Sequence, residues 1–193
     1  MLEKYRKTQR MSGFDYSNSG SYFITICVKD RLEYFGEIFN KKMILNKNGK
    51  IAQKQWLWLT HNFPGIYLDN FVIMPNHIHG IIEIDYDFLD CSDNRSFTNQ
   101  CRDNPRVVPT RTGFLTQTVV HTSVHARRYN LLSKAINAFK TTSSKLIHLK
   151  GVPKFEWQRS FYDHIVRDDR DLMRIRSYIE NNPANWGTDR NNH

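Results

Sequence analysis

The stretch Phe71-Val72-Ile73-Met74-Pro75-Asn76-His77-Ile78-His79-Gly80-Ile81-Ile82 constrains the fold of this chain more than any other. It sets a His-apolar-His triplet inside a run that reads as a β-strand. Side chains two apart on a strand point to the same face, so His77 and His79 project together while Ile78 turns into the core. Two imidazoles side by side are half of a metal site. The apolar flanks make the strand rigid and buried, which is where a precise site is best mounted. Its complement lies about a hundred residues later, in Tyr178-Ile179-Glu180-Asn181-Asn182-Pro183.

Patterning along the chain supplies the scaffold. Residues 1–20 are basic and then rich in Ser and Gly, an arm with weak structural signals. Residues 21–29 form a β-branched and aromatic strand, and residues 32–45 a small hairpin broken at Gly36. An amphipathic helix is expected over 48–62, closed before Pro64. Two strands, 66–74 and 77–85, meet at the turn-prone pair Pro75-Asn76. Residues 86–130 lack periodicity and read as a flexible insertion. A helix resumes over 131–148, followed by a strand over 155–166 and a helix over 168–182 that is acidic in its first turn and stopped by Pro183. The order β-α-β-β-α-β plus a last helix predicts an α+β, ferredoxin-like sandwich with an antiparallel sheet, in one domain spanning 1–193. In that topology the first and third strands are central, so the histidine strand is an interior one.

Composition narrows the function classes. The net charge of +9 points to an acidic partner, nucleic acid foremost, and the 13% aromatic content suits stacking on unpaired bases. Cys27, Cys91 and Cys101 form no CxxC pair and are odd in number, which disfavours a disulfide framework or structural zinc. Cys27, in an apolar strand, is expected to be a buried small hydrophobe. The N-terminus lacks an apolar leader segment and no run reaches membrane-spanning length, so a cytoplasmic location away from membranes is expected.

On the last helix Tyr178 and Asn182 are four apart and share one face. If that face crosses the histidine strand, two imidazoles, an amide oxygen and a phenol converge. Two histidines with one side-chain oxygen leave open positions on a divalent ion, as a catalytic metal requires. Mg²⁺ or Mn²⁺ suits such a mixed set, with phosphate oxygens taking the vacant positions. Tyr178 is then the nucleophile, although a phenol whose reference pKa is about 10 needs help from a metal, a base or nearby cations.

The segments YFITICVKDR (22–31), FVIMPNHIHGIIEI (71–84), LSKAINAFKTTSSKLI (132–147) and WQRSFYDHIVRDDRDLMRIRSYIENNPANW (157–186) resemble the REP-associated tyrosine transposases. These belong to the single-tyrosine HUH (His-hydrophobic-His) family of single-stranded-DNA transposases. The resemblance spans nearly the whole chain except the insertion. It implies an endonuclease and strand transferase that cuts single-stranded DNA at the foot of an imperfect hairpin, through a 5′-phosphotyrosine and a free 3′-hydroxyl. Carried over, His77 and His79 match the metal-binding triplet, Tyr178 the nucleophile, and Asn182 the third, oxygen-bearing ligand. Such rejoining needs no external energy source, in keeping with the absence of a P-loop. Monomers and homodimers both occur in the wider family.

Other residues are expected at the margins of the site. His164 and Asp163 alternate on the last strand and are candidates to support the ligands from behind. Arg167, Arg170, Arg174 and Arg176 gather around the tyrosine helix, and Lys4, Arg6, Lys7 and Arg10 form the basic arm; both groups are candidates for phosphate contact. Two rival readings stand beside the transesterase: a nuclease-inactive module that binds hairpins or single strands, and a metal phosphodiesterase that uses water and has no need of Tyr178.

Overall fold

The computed structural model describes residues 18–88 and 131–192. The basic arm residues Lys4, Arg6, Lys7 and Arg10, and all but the first three residues of the 86–130 insertion, lie outside the described residues.

Among the described residues the main elements follow in the order β1 (Gly20–Cys27), β2 (Gly36–Phe39), β3 (Lys42–Leu45), α1 (Lys47–Asn62), β4 (Ile66–Ile73), β5 (His77–Ile84), α2 (Leu131–Leu149), β6 (Tyr162–Ile165) and α3 (Asp169–Asn181). Strands β2 and β3 make a separate hairpin, and the other four form one sheet in the order β4-β5-β1-β6. Each neighbouring pair is antiparallel. This is the expected α+β, ferredoxin-like arrangement, with β1 and the histidine strand β5 in the middle.

Strand alternation divides the sheet into two working faces. Tyr22, Ile24, Ile26, Ile78 and Ile82 join Trp56 and Leu59 of α1 and Ile136 and Phe139 of α2 in the main core. Phe23 and Ile81 point the other way and pack with Ile175 and Ile179 of α3 in a smaller one. The chain therefore has helices on both faces, and the tyrosine helix lies on the same face as His77 and His79. Cys27 is buried and free of any disulfide, as its apolar strand predicts.

Helix starts follow the sequence signals. Asn46 caps α1 by accepting from the backbone N–H groups of Asn48 and Gly49. Asp168 caps α3 through the N–H of Asp171, with Asp169 and Asp171 in its first turn.

Two expectations need correction. The strand forecast over 155–166 is real only from Tyr162 to Ile165, with an isolated Val28–Trp157 bridge before it. The reason is Lys140: its ammonium collects the carbonyls of Gln158 at 2.8 Å, Arg159 at 3.4 Å and Ser160 at 2.9 Å, which are thereby turned away from a neighbouring strand. Pro183 does end the α-helix but not the helical path. Asn182 stays right-handed helical (φ −57°, ψ −44°) and Pro183 opens a 3₁₀ turn running to Thr188, its missing N–H being harmless at a first helical position.

Candidate metal and tyrosine site

The turn between β4 and β5 builds one half of the site. Met74 N–H bonds His77 C=O at 2.8 Å and closes the hairpin, which leaves Asn76 buried beneath the histidines. The Asn76 amide nitrogen donates to the carbonyls of Arg31 (3.0 Å) and Asn191 (2.8 Å). Its oxygen must then face His77 Nδ1, 2.7 Å away, so that nitrogen carries the proton and His77 Nε2 holds a lone pair.

His77 Nε2 lies 3.0 Å from His79 Nε2, and both rings are fully buried. Behind His79, Thr25 Oγ1 sits 2.9 Å from Nδ1. A hydroxyl serves either tautomer. In the metal-free protein one proton between the two Nε2 atoms joins the rings; once Thr25 accepts from Nδ1, both Nε2 lone pairs are available to a cation. Burial holds His77 down to about 4, and it pushes His79 well below the ordinary histidine value, with the neighbouring His77 adding to the effect. Both imidazoles are thus neutral at pH 7, the state a metal ligand needs.

Helix α3 delivers the other half. Tyr178 Oη approaches His79 Nε2 to 3.3 Å. Phe23 stacks on the His79 ring at 5.3 Å between centroids and meets Tyr178 edge-on at 5.9 Å, fixing the two relative to each other. The phenol is 41% exposed, open to a large substrate. Burial and then the Asp189 carboxylate raise its pKa above the ordinary value of 10, against the opposing pull of Arg190 and the Asn182 amide. One turn on, Asn182 is buried; its amide nitrogen donates to Asp189 at 2.9 Å, and its Oδ1 has no hydrogen-bond partner. A buried amide oxygen without a donor is costly unless something else fills the role.

The four residues expected from sequence are therefore brought together, and Asp189 joins them. The ligand atoms of His77, His79 and Asp189 all lie within 4.8 Å of one another. Two convergent imidazole nitrogens and a carboxylate are a donor set that could hold a metal ion, and the partnerless amide oxygen of Asn182 belongs to the side chain bonded to that carboxylate.

The marginal residues sort differently. His164 lies on the site's face of β6 and lines the cleft, but its Nε2 bonds Asp171 at 2.9 Å and not either histidine. Asp163 pairs in register with Ile24, whose side chain belongs to the opposite face, so the strand turns Asp163 away from the site. Arg176 is held by Asp69 through three hydrogen bonds at 3.2, 2.9 and 2.6 Å, which anchors α3 to β4. Arg174 bonds Asp171 at 2.6 Å and, with His164, holds that carboxyl down to about 2. Arg167 and Arg170 are exposed beside this network. A cleft of about 650 Å³ opens over Tyr178, lined also by Phe23, Tyr162, Arg174, Asn182, Asp189 and Arg190. Sequence reading missed Asn76, Thr25, Asp189 and Arg190. The only signals were the position of Asn76 directly before the triplet and that of Asp189 a few residues past the tyrosine helix. Among the described residues no helix is long and apolar enough to cross a membrane.

No protein-family model matches the chain. Among solved structures, a REP-associated tyrosine transposase bound to a REP hairpin superposes with a TM-score of 0.49 at 15% identity, covering 87% of this chain and 68% of that one. A crystal structure named as a "putative transposase" from Deinococcus radiodurans gives 0.42 at 14% identity, covering 89% and 97%. Among curated proteins, an uncharacterized protein of Haemophilus influenzae is 32% identical over 96% of this chain and 92% of its own length. A second protein from that organism, named "Putative REP-associated tyrosine transposase", is 26% identical over 90% of this chain and 75% of its own. The 32% identity over nearly all of both chains is common descent with a shared fold, and the more distant 26% relative makes the chain similar to a protein named as a REP-associated tyrosine transposase.

Proposed function

We propose that this protein is a metal-dependent transposase that cleaves and rejoins single-stranded DNA at hairpin (REP-like) sequences, with Tyr178 as nucleophile and His77, His79 and Asn182 as ligands of Mg²⁺ or Mn²⁺. The observation that carries the reading is the 3.3 Å approach of the Tyr178 phenol to an imidazole nitrogen that itself converges with a second one. A binding module has no use for that coincidence.

A bound divalent cation would polarise a phosphate oxygen and offset the charge that grows in the transition state. The rest belongs to the chain. Asn76 fixes the tautomer that leaves the His77 Nε2 lone pair free, and Thr25 can accept from His79 Nδ1 so that its Nε2 lone pair is freed as well. Phe23 and α3 hold the phenol beside them, and the open cleft admits an unpaired strand. Tyr178 Oη forms a bond to phosphorus as the bond to the 3′ oxygen breaks. The phenolic proton ends on that 3′ oxygen, which leaves as a hydroxyl, and the 5′ end stays on the tyrosine. Attack by a 3′-hydroxyl reverses the exchange, so strands are rejoined without an external energy source. The net charge of +9 supplies attraction to the DNA backbone.

The test is a denaturing gel with labelled single-stranded hairpin oligonucleotides from the gene's own flanks, in Mn²⁺ or EDTA. An adduct formed by the wild type in Mn²⁺, lost in EDTA and in Tyr178→Phe, is expected. Cleavage that persists in Tyr178→Phe without an adduct would replace the reading with a water-using phosphodiesterase. Tight binding of a hairpin with neither cleavage nor adduct would replace it with a recognition module.

A further inference from the structure

We propose that Asp189, carried by the tail beyond the tyrosine helix, is the charged ligand of the cation site: its carboxylate completes the His77/His79 pair and holds the Asn182 amide in its ligand orientation. The inference rests on the metal-dependent reading above and extends it to a residue outside the tyrosine and histidine motifs.

Both oxygens of Asp189 are accounted for, and their uses differ. Oδ1 accepts the Asn191 N–H at 2.6 Å, a local turn of the tail. Oδ2 accepts from Asn182 Nδ2 at 2.9 Å. That bond decides which end of the Asn182 amide is the nitrogen, and it leaves Oδ1 of Asn182 buried with no hydrogen-bond partner. A carboxylate has roughly four lone-pair sites, so one donor on each oxygen leaves capacity for a cation. The Asp189 carboxylate shares the 4.8 Å cluster with both histidine nitrogens.

The tail is fastened to the floor of the site. Asn191 is 3% exposed. Its carbonyl receives Asn76 Nδ2 at 2.8 Å, and its side-chain oxygen receives Arg31. Since the other end of the Asn76 amide holds His77 Nδ1, one side chain ties the loop bearing the carboxylate to the first imidazole. Charge supplies the remaining reason. Two neutral imidazoles and a neutral amide leave a buried dication uncompensated, and hard divalent ions are drawn to carboxylate oxygen.

The experiment uses the full chain without DNA. Mn²⁺ binding is followed by loss of the free-ion electron paramagnetic resonance signal and by the Mn²⁺-induced rise in melting temperature, for wild type, Asp189→Asn, Asp189→Glu and His77→Ala. Asp189→Asn is expected to weaken Mn²⁺ binding by about tenfold or more at an unchanged metal-free melting temperature, with Asp189→Glu regaining most of the loss. Mn²⁺ binding lost in His77→Ala but unchanged in Asp189→Asn overturns the role of Asp189 and leaves the metal reading standing. Equal weakening in Asp189→Asn and Asp189→Glu, matched by equal losses of metal-free melting temperature, also overturns it, because the carboxylate then acts only in folding the tail. Wild-type binding in His77→Ala overturns the metal reading and this inference together.

Discussion

Tyr178 Oη and His79 Nε2 stand 3.3 Å apart although 99 positions separate them in the chain. The contact joins the third helix to the central strand, with Phe23 packed against both rings. The hydroxyl itself adds little to folding, because the ring's apolar edge makes the packing contact and the residue is 41% exposed. Tyr178→Phe is therefore expected to change unfolding free energy by no more than about 0.5 kcal/mol while abolishing the covalent DNA adduct. Urea titration beside the gel assay checks both.

Stability in EDTA is expected to fall with acid in a window set by the histidines. Burial lowers His77 to about 4 in the folded protein, against 6.5 when it is free. Between those values the unfolded chain binds the proton and the folded one does not. Stability is thus complete above about pH 6.5 and is lost as pH falls towards 4, with His77 and His79 acting in the same direction. Unfolding free energies at pH 7.5, 6 and 5 check this, and His77→Gln should flatten the slope.

Asn76 is expected to matter as much as the ligand behind which it sits. It is 1% exposed and makes three hydrogen bonds, to Arg31, Asn191 and His77. Asn76→Ala leaves those groups without their partner and frees the His77 tautomer. A loss of about 2–3 kcal/mol in stability is expected, with Mn²⁺ affinity weakened about 10- to 100-fold. Calorimetric titration with Mn²⁺ and a urea series separate the two effects.

Gly80 sets the depth of the histidine strand on the core side. A Cβ there would meet Trp56 Cζ2 at 2.6 Å and Phe71 Cβ at 3.0 Å. Gly80→Ala forces the indole to shift and should destabilise by about 1–3 kcal/mol. Pairing it with Trp56→Phe should recover part of that loss. A double-mutant cycle in urea measures the coupling.

Arg176 and Asp69 form the clamp between α3 and β4, with Asn70 adding a 2.7 Å bond to Glu180. The clamp is partly exposed, so its expected effect is on geometry. Arg176→Ala should slow strand cleavage about tenfold, since small misplacements of a reacting group are costly, while leaving Mn²⁺ affinity within twofold of the wild type. Single-turnover cleavage with and without added salt checks this; a loss that disappears on Asp69→Asn, Arg176→Gln double substitution would instead point to an unpaired carboxylate.

By itself the sequence determined what periodicity can carry. A spacing of two on a strand put His77 and His79 on one face, and a spacing of four on a helix did the same for Tyr178 and Asn182, because backbone geometry repeats locally. The βαββαβ order and the central position of the histidine strand followed from the pattern of apolar runs. Only the tertiary structure decided which sheet face receives the tyrosine helix, and hence that His164 looks into the cleft while Asp163 looks away. It also turned Asn76 from a turn residue into the hydrogen-bond hub beneath His77, diverted three carbonyls to Lys140 where a longer strand was expected, and folded the tail so that Asp189 reaches the histidines. No periodicity encodes those contacts: they are single long-range hydrogen bonds between irregular segments, fixed only once the buried polar groups on each side have found partners.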